Sequence, residues 1–240
     1  MAININQVYK SVLVVLQQEK RGVLTPTEFN KVATQAQQEI FNDYFDELNQ
    51  LLRQSQTSLA YADRFALLDE KIQIFKRVES RSTDANGIVT PSVAVQELGD
   101  VVYFADAGVS VGREVQRIQK HEVYTTNQSP LTKPTTTYPV YTYENNIIQI
   151  YPLTIVSGTN DIQLNYLKYP TDVKWGFTID LELGNYIYNP NNSVDFELHQ
   201  SDEPLLVDKI LGYAGVMTKD QLVLSMANQK EQQIDTDGQK

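Results

Sequence analysis

Residues Thr25 to Arg53, TPTEFNKVATQAQQEIFNDYFDELNQLLR, decide how this chain is read. Thr25 is suited to cap a helix, Pro26 to occupy its first turn, and Glu28 to reach back as the carboxylate of a capping box. Phe29, Val32, Ala33, Ala36, Ile40, Tyr44, Leu48 and Leu51 then recur at steps of three and four, with Gln, Asn and carboxylates between them. That spacing predicts a single amphipathic helix. No glycine or further proline interrupts it before Arg53, so it should extend about 40 Å at 1.5 Å per residue. A helix of that length exceeds what a small core requires and reads as a shaft to which other elements attach.

On its N-terminal side, Asn6 to Lys20 place Val8, Val12, Leu13, Val15 and Leu16 toward one side, and Arg21-Gly22 is a helix-ending pair. The short link Val23-Leu24 predicts that these two helices pack as an antiparallel hairpin. Beyond Arg53, Phe65, Leu68, Ile72 and Phe75 predict a third helix from Tyr61 to Lys76. The period then changes. Asn86-Gly87 is a favoured hairpin turn, and Val101 to Tyr103 reads as a strand. Glu114 to Tyr124 alternates imperfectly, and Asn127 to Thr137 reads as a surface loop. Val140 to Glu144 and Ile147 to Tyr151 flank the turn Asn145-Asn146, which predicts a β-hairpin. Leu153 to Val156 and Ile162 to Tyr169 predict another strand pair around the turn Ser157 to Asn160. Phe177 to Leu183 alternates weakly, and Tyr186 to Val194 is rich in turn residues.

Helical patterning returns at Ser201-Asp202-Glu203, with Leu205, Leu206, Ile210, Leu211 and Ala214 on the apolar side and Gly215 as the stop. A second short helix is expected from Thr218 or Asp220. The predicted fold class is therefore α+β, a helical bundle built from N- and C-terminal helices with a central β-rich inserted lobe. The expected divisions are 1–76 for the N-terminal helices, 77–199 for the β-rich lobe, 200–227 for the C-terminal helices and 228–240 for a flexible polar tail, whose thirteen residues include one aliphatic side chain.

Composition narrows the function classes. The 240 residues carry a net charge of −10, which disfavours a dedicated nucleic-acid binder because an acidic surface repels phosphate. The chain has no cysteine, so disulfides, thiolate nucleophiles and thiolate metal sites are excluded. The N-terminus lacks a basic signal region, and its longest apolar run, Val12 to Leu16, is too short to span a membrane; synthesis in a cytoplasm is expected.

The residues that carry chemistry are few. His121 lies between Lys120 and Glu122 and reads as solvated surface. His199 precedes a helix start and reads as a capping group. Asp43 and Glu47, four apart with Asp46 between them, would suit a metal or an acid–base pair only if they faced a pocket. Alternation with Tyr44, Phe45 and Leu48 places them on a solvated face. Gly108 to Arg113, GVSVGR, lacks the Lys-Ser/Thr ending of a phosphate loop, so its glycines are assigned to turns. The sequence thus assigns no catalytic, cofactor-binding or metal-ligating residue. Tyrosine is abundant, with fourteen copies, and Tyr138, Tyr141, Tyr143, Tyr151, Tyr166 and Tyr169 crowd the β-rich region. Sheet formation and protein interface are both open readings for them.

Several segments carry a family resemblance: INQVYKSVLVVLQQEKRGVLTPTEFNKVATQAQQEIFNDYFDELN from Ile5, PVYTYENNIIQIYP from Pro139, YLKYP followed by VKWGF, and DFELHQSDEPLLVDKILGYAGV from Asp195. Together they resemble virion ring proteins of tailed bacteriophages, especially crAss-like and related short-tailed phages, and in outline head-to-tail adaptors. The likeness runs to about Ala227. It implies a non-enzymatic structural subunit of a dodecameric ring at the portal–tail junction, without cofactors, that contacts itself, the portal and neighbouring tail or ring proteins. DNA would pass through without specific binding, and an acidic wall would suit that passage because it gains no affinity from counterion release. The protein would be assembled in the host cytoplasm and reside in the virion. Another virion component, or a small-molecule-binding or hydrolytic domain using Asp43, Glu47 and the Tyr-rich sheet, are the alternative expectations.

Overall fold

A computed structural model of the chain describes residues 3–18, 24–53, 59–104, 112–155, 162–180, 182, 184–218, 225 and 229. The chain is mixed α and β. It divides into two compact units, one of Met1–Ile74 with Pro170–Lys240 and the other of Phe75–Tyr169. The expected helix stop at Arg21-Gly22, the turn at Ser157 to Asn160, and all but residue 229 of the tail at 228–240 lie outside the described residues, as does most of the expected short helix after Thr218.

The first unit is built on α2 (Pro26–Arg53), whose 28 residues correspond to about 42 Å of helix. Its start is held by the capping box. The Thr25 N–H and hydroxyl both donate to Glu28 Oε2, at 3.0 and 2.6 Å, and the Glu28 N–H donates to Thr25 Oγ1 at 3.4 Å. Those bonds, the hydroxyl first, hold the Glu28 carboxyl below its usual range. Along α2, Phe29, Val32, Ala33, Ala36, Ile40, Tyr44 and Leu51 are buried. Phe41 and Gln37 join them, while Leu48 is only half-buried.

Helix α2 packs against α3 (Leu59–Gln73) and α5 (Glu203–Thr218), and α1 (Ile5–Gln18) lies against α5. The hairpin expected of α1 and α2 is therefore replaced by an approach of α1 to the C-terminal helix, with α1 and α2 meeting at the Tyr9–Phe29 ring contact. Helix α5 does not stop at Gly215. It runs through Gly212 and Gly215 to Thr218, because the buried Ala214 and Gly215 continue its packed side.

Residues 170–199, expected to close the β-rich lobe, belong to the helical unit instead. Val173, Trp175, Phe196 and Leu198 bury their side chains there, and Ile3 and Phe196 form a β-bridge. Buried Gln37 holds this segment at two points, donating to Thr171 O at 2.8 Å and accepting the Glu197 N–H at 2.9 Å. Gly176 lies so close to the 189–192 turn that a β-carbon would stand 2.6 Å from the Asn192 carbonyl, which leaves glycine as the residue that fits.

The second unit begins with β1 (Lys76–Arg81), β2 (Ile88–Val89), β3 (Val95–Tyr103), β4 (Arg113–Glu114) and β5 (Gln116–Arg117). After α4 (Glu122–Gln128) come β6 (Val140–Glu144), β7 (Ile147–Tyr151) and β8 (Ile162–Lys168). Two four-stranded sheets result, ordered β1-β8-β3-β4 and β2-β7-β6-β5. Residues 113–117 pass from one sheet to the other, with Val115 buried at the crossing and its N–H bonded to Val101 O at 2.8 Å. Ile148 and Ile150 of β7 and Ile162 and Leu164 of β8 are fully buried in one core that draws on both sheets.

The β6–β7 hairpin forms with Asn145 and Asn146 at φ 49° and 61°, the left-handed pair that a two-residue type I′ turn needs. At Asn86-Gly87, the Asp84 carboxylate accepts the N–H groups of Asn86 and Ile88 at 2.9 and 2.7 Å. The strand pair expected of Leu153–Val156 and Ile162–Tyr169 is not made. Leu153 and Thr154 are in a turn, and β8 pairs with β1 and β3. Buried at every second residue, β8 is central, and its two partners lie about 60 and 85 residues away in sequence, where local spacing carries no signal. The imperfect alternation from Glu114 to Tyr124 resolves into the end of β4, β5 and the start of α4, and the expected loop of Asn127–Thr137 holds apart from the last turn of α4 at Asn127 and Gln128.

Candidate functional site

The polar groups buried in each unit tie elements together. In the helical unit, the Tyr44 hydroxyl donates to Asp202 Oδ2 at 2.5 Å and Lys71 Nζ donates to Asp202 Oδ1 at 2.7 Å. The Lys71 ammonium also stands 5.4 Å from the centroid of the Tyr44 ring. One buried carboxylate, on the 3-10 turn Gln200–Asp202 that leads into α5, thereby joins α2 and α3. Burial first, and then the bond to Asp202, holds the Tyr44 hydroxyl well above the usual tyrosine range. In the β unit, Glu79 plays a similar part. Tyr166 Oη donates to it at 2.9 Å, the Ser92 N–H at 3.2 Å, and Arg81 pairs with it at 2.5 Å.

His199 caps that 3-10 turn. Its Nδ1 accepts the Ser201 N–H at 3.3 Å and lies 2.8 Å from Ser201 Oγ, so Nε2 carries the proton and points toward Glu70 Oε1, 3.8 Å away. His121 is exposed at the start of α4 and makes no side-chain cap bond. Asp43, Asp46 and Glu47 are all exposed on α2. Lys209 of α5 lies 3.4 Å from Asp43 and 3.7 Å from Glu39, so Asp43 belongs to an ion-paired seam between two helices. The same seam holds Tyr213, whose hydroxyl donates to Glu39 and accepts from Gln35 Nε2. Among the described residues, no three His, Asp or Glu side chains are grouped to hold a metal ion, and no helix is long and apolar enough to cross a membrane. Most of Gly108 to Arg113 lies outside the described residues.

The tyrosines of the β unit divide. Tyr141 and Tyr166 are buried, Tyr143 and Tyr151 half-buried, and Tyr138 and Tyr169 exposed. Burial fits the sheet-forming reading for Tyr141 and Tyr166, while Tyr138 and Tyr169 face solvent. Tyr138 is the more telling, because two further large side chains of the same connection are also exposed. Exposure reaches 76% at Tyr124, 97% at Leu131 and 77% at Tyr138. The connection between β5 and β6 is locally ordered. Lys133 N bonds Ser129 O at 2.9 Å, Tyr138 N bonds Thr135 O at 3.1 Å, and Arg113 Nη1 donates to Thr136 O at 2.8 Å.

A second exposed apolar surface belongs to the helical unit. Strands β9 (Phe177–Ile179) and β10 (Tyr186–Tyr188) pair only with each other among the described residues. Buried Trp175 anchors their base: its ring stacks at 5.6 Å on Tyr188 and 6.0 Å on Phe177, and packs at 4.4 Å on Tyr9. Ile179 and Tyr186 face each other across the strands at the outer end, 58% and 45% exposed, and Ile187 on the other face is 52% exposed. Sequence reading passed over this hairpin because its strands are only three residues each. The signal that could have found it is the aromatic spacing Trp175, Phe177, Tyr186, Tyr188.

Six tyrosines carry hydroxyls raised above the usual range, and for each of Tyr9, Tyr44, Tyr141, Tyr143, Tyr166 and Tyr213 burial is the first cause. Tyr213 is pushed up to about 12. A raised folded-state value favours the neutral phenol, so its stabilisation is complete below the unfolded value of 10.0 and is lost as pH rises through the folded one. Circular dichroism at increasing pH is expected to show stability falling above about pH 10. Tyr213→Phe is expected to flatten the part of that decline between pH 10 and about 12.

Compared with known proteins, the sequence matches no family model and no curated protein significantly.

Proposed function

We propose that the chain is a structural subunit of a bacteriophage head-to-tail connector, one copy of a ring at the portal–tail junction through which DNA passes. The observation that carries this reading is that each compact unit exposes several large apolar side chains on a locally braced hairpin or connection. The buried side chains Gln37 and Asp202 and the half-buried Glu79 meanwhile bond to other parts of the same unit. Exposed apolar clusters with polar rims are the surfaces on which subunits assemble. The segment resemblance to virion ring proteins points the same way, and it implies twelve copies.

In this reading the helices of both chain ends form a bundle and the β-rich unit is its inserted lobe. The insert leaves and rejoins the chain on adjacent antiparallel strands, with Lys76 opposite Leu167 and Lys168 N bonded to Phe75 O at 3.0 Å. An insert with neighbouring ends can be accommodated without disturbing its host. Charge also divides. Residues 75–169 contain eight Lys and Arg against nine Asp and Glu, a net −1, which leaves −9 of the −10 to the helical unit. We assign the acidic unit to the wall of the conduit, where it would not retain phosphate.

Mass spectrometry of purified particles of the encoding phage is expected to find the chain at a fixed ring-like ratio to portal protein, and electron microscopy to place it between portal and tail. Absence from the particles would overturn the reading, and a strongly basic lumen would overturn the wall assignment. Presence at another virion position would make it a different structural component.

A further inference from the structure

The two exposed apolar surfaces differ in charge. Residues 177–188, which contain the β9–β10 hairpin, carry Asp180 and Glu182 and no cation. Among the described residues neither carboxylate has an ion-pair partner; their side-chain bond is local, Glu182 N–H to Asp180 Oδ1 at 3.0 Å. The connection from β4 to β6, residues 113–139, carries Arg113, Arg117, Lys120 and Lys133 against Glu114 and Glu122. It is net positive on a chain of net charge −10. Lys120 is paired with Glu144 at 2.5 Å, and Arg113 braces the connection itself. Arg117, 5.9 Å from the Tyr143 ring centroid, and exposed Lys133 have no carboxylate partner among the described residues.

We propose that the β9–β10 hairpin of one copy docks on the 113–139 connection of a second copy. Ile179 and Tyr186, on one face of the hairpin, would meet Tyr124, Leu131 and Tyr138, with Asp180 and Glu182 set against Lys133 and Arg117. Charge complementarity selects the occupant. The hairpin lacks the cations, and the connection holds the unpaired ones that an acidic partner requires; both halves occur on one chain. Aromatic and aliphatic centres with charged rims are the usual anatomy of such a contact, and the charges set register and partner choice more than affinity. Because the two surfaces differ, the contact is heterologous and propagates from copy to copy until it closes into a ring. The inference rests on the ring reading above and adds the surfaces that build it.

Equal amounts of unlabelled and 15N-labelled full-length chain, mixed and treated with a carbodiimide that joins lysine directly to carboxylate, test it. Mixed-isotope peptides joining Lys133 to Asp180 or Glu182 are expected. In sedimentation velocity, Arg117→Glu with Lys133→Glu is expected to weaken self-association about tenfold. Adding Asp180→Lys with Glu182→Lys to the same chain should restore it; Arg117, Lys133 and Glu182 are exposed and Asp180 is half-buried, and circular dichroism of each variant checks that the fold is kept. Rising salt should weaken the wild-type association. If the chain associates but its mixed-isotope links lie elsewhere, or the charge swap does not rescue, this pairing is overturned while the connector reading stands. A chain that stays monomeric at every concentration also overturns the pairing. The connector reading is then decided separately, by whether the chain is present in the particles.

Discussion

Replacing Trp175 by alanine is expected to destabilise the helical unit by about 4 kcal/mol, the range found for deleting a buried tryptophan. The indole is buried between Tyr9 of α1 and the Phe177 and Tyr188 rings, so truncation leaves a cavity that these three aromatic neighbours cannot readily close. It also orphans a polar partner, because Trp175 Nε1 donates to Asn6 Oδ1 at 3.2 Å. The backbone of the residue is fixed independently: its N–H donates to Asn30 Oδ1 at 2.7 Å and its carbonyl accepts from Asn30 Nδ2 at 3.3 Å. Trp175→Phe keeps most of the packing and should lose about 1–2 kcal/mol. Since this is the only tryptophan, wild-type unfolding of the unit can be followed by fluorescence, and the variants by denaturant titration with circular dichroism. A loss below about 1 kcal/mol for alanine would show that Trp175 is not the anchor of the hairpin. The β9–β10 surface should loosen in the same variant, so amide exchange at 177–188 is expected to accelerate before the rest of the unit responds.

Asp202→Ala is expected to cost about 3 kcal/mol, because it leaves a lysine and a buried tyrosine hydroxyl facing an empty space. Tyr44→Phe removes a single charge-assisted bond and should cost about 1.5 kcal/mol. The two losses should not add. Both act through the 2.5 Å bond between Tyr44 and Asp202, so the double variant is expected to be less destabilised than the sum, by about 1 kcal/mol or more. Additive losses in urea titrations would dissociate the two residues and contradict the shared clamp. The contrast with Asp43→Ala is informative. That carboxylate is exposed and faces Lys209 at 3.4 Å, so its removal should change stability by less than about 1 kcal/mol.

These two anchors were not legible in the sequence, although their neighbours were. The capping box at Thr25 and Glu28, the apolar stripe of α2 and the Asn145-Asn146 turn are set by residues within four positions of one another, and each forms as read. Gln37 shows the limit. It lies among Gln and Thr residues and reads as solvated, yet it is buried because segments more than 130 residues later supply a carbonyl and an N–H for its two ends. Asp202 likewise looks like a helix-start carboxylate. Its other role comes from Tyr44 and Lys71, 158 and 131 positions away. Helix α4 was missed for a different reason: seven residues with one buried side chain, Val123, provide too little period to recognise.

The sequence by itself determined the order of helices, sheet and helices, the long α2 with its cap, the central hairpin and the excess of acid, because capping, periodicity and turn conformation are local properties of the chain. Tertiary structure alone decided that 170–199 packs with the helices, that β8 lies between β1 and β3, and that Trp175 lifts an apolar hairpin into solvent. Those outcomes depend on which distant segment fills a given cavity or satisfies a given hydrogen bond. No spacing along the chain encodes such a partner; only the folded packing selects it.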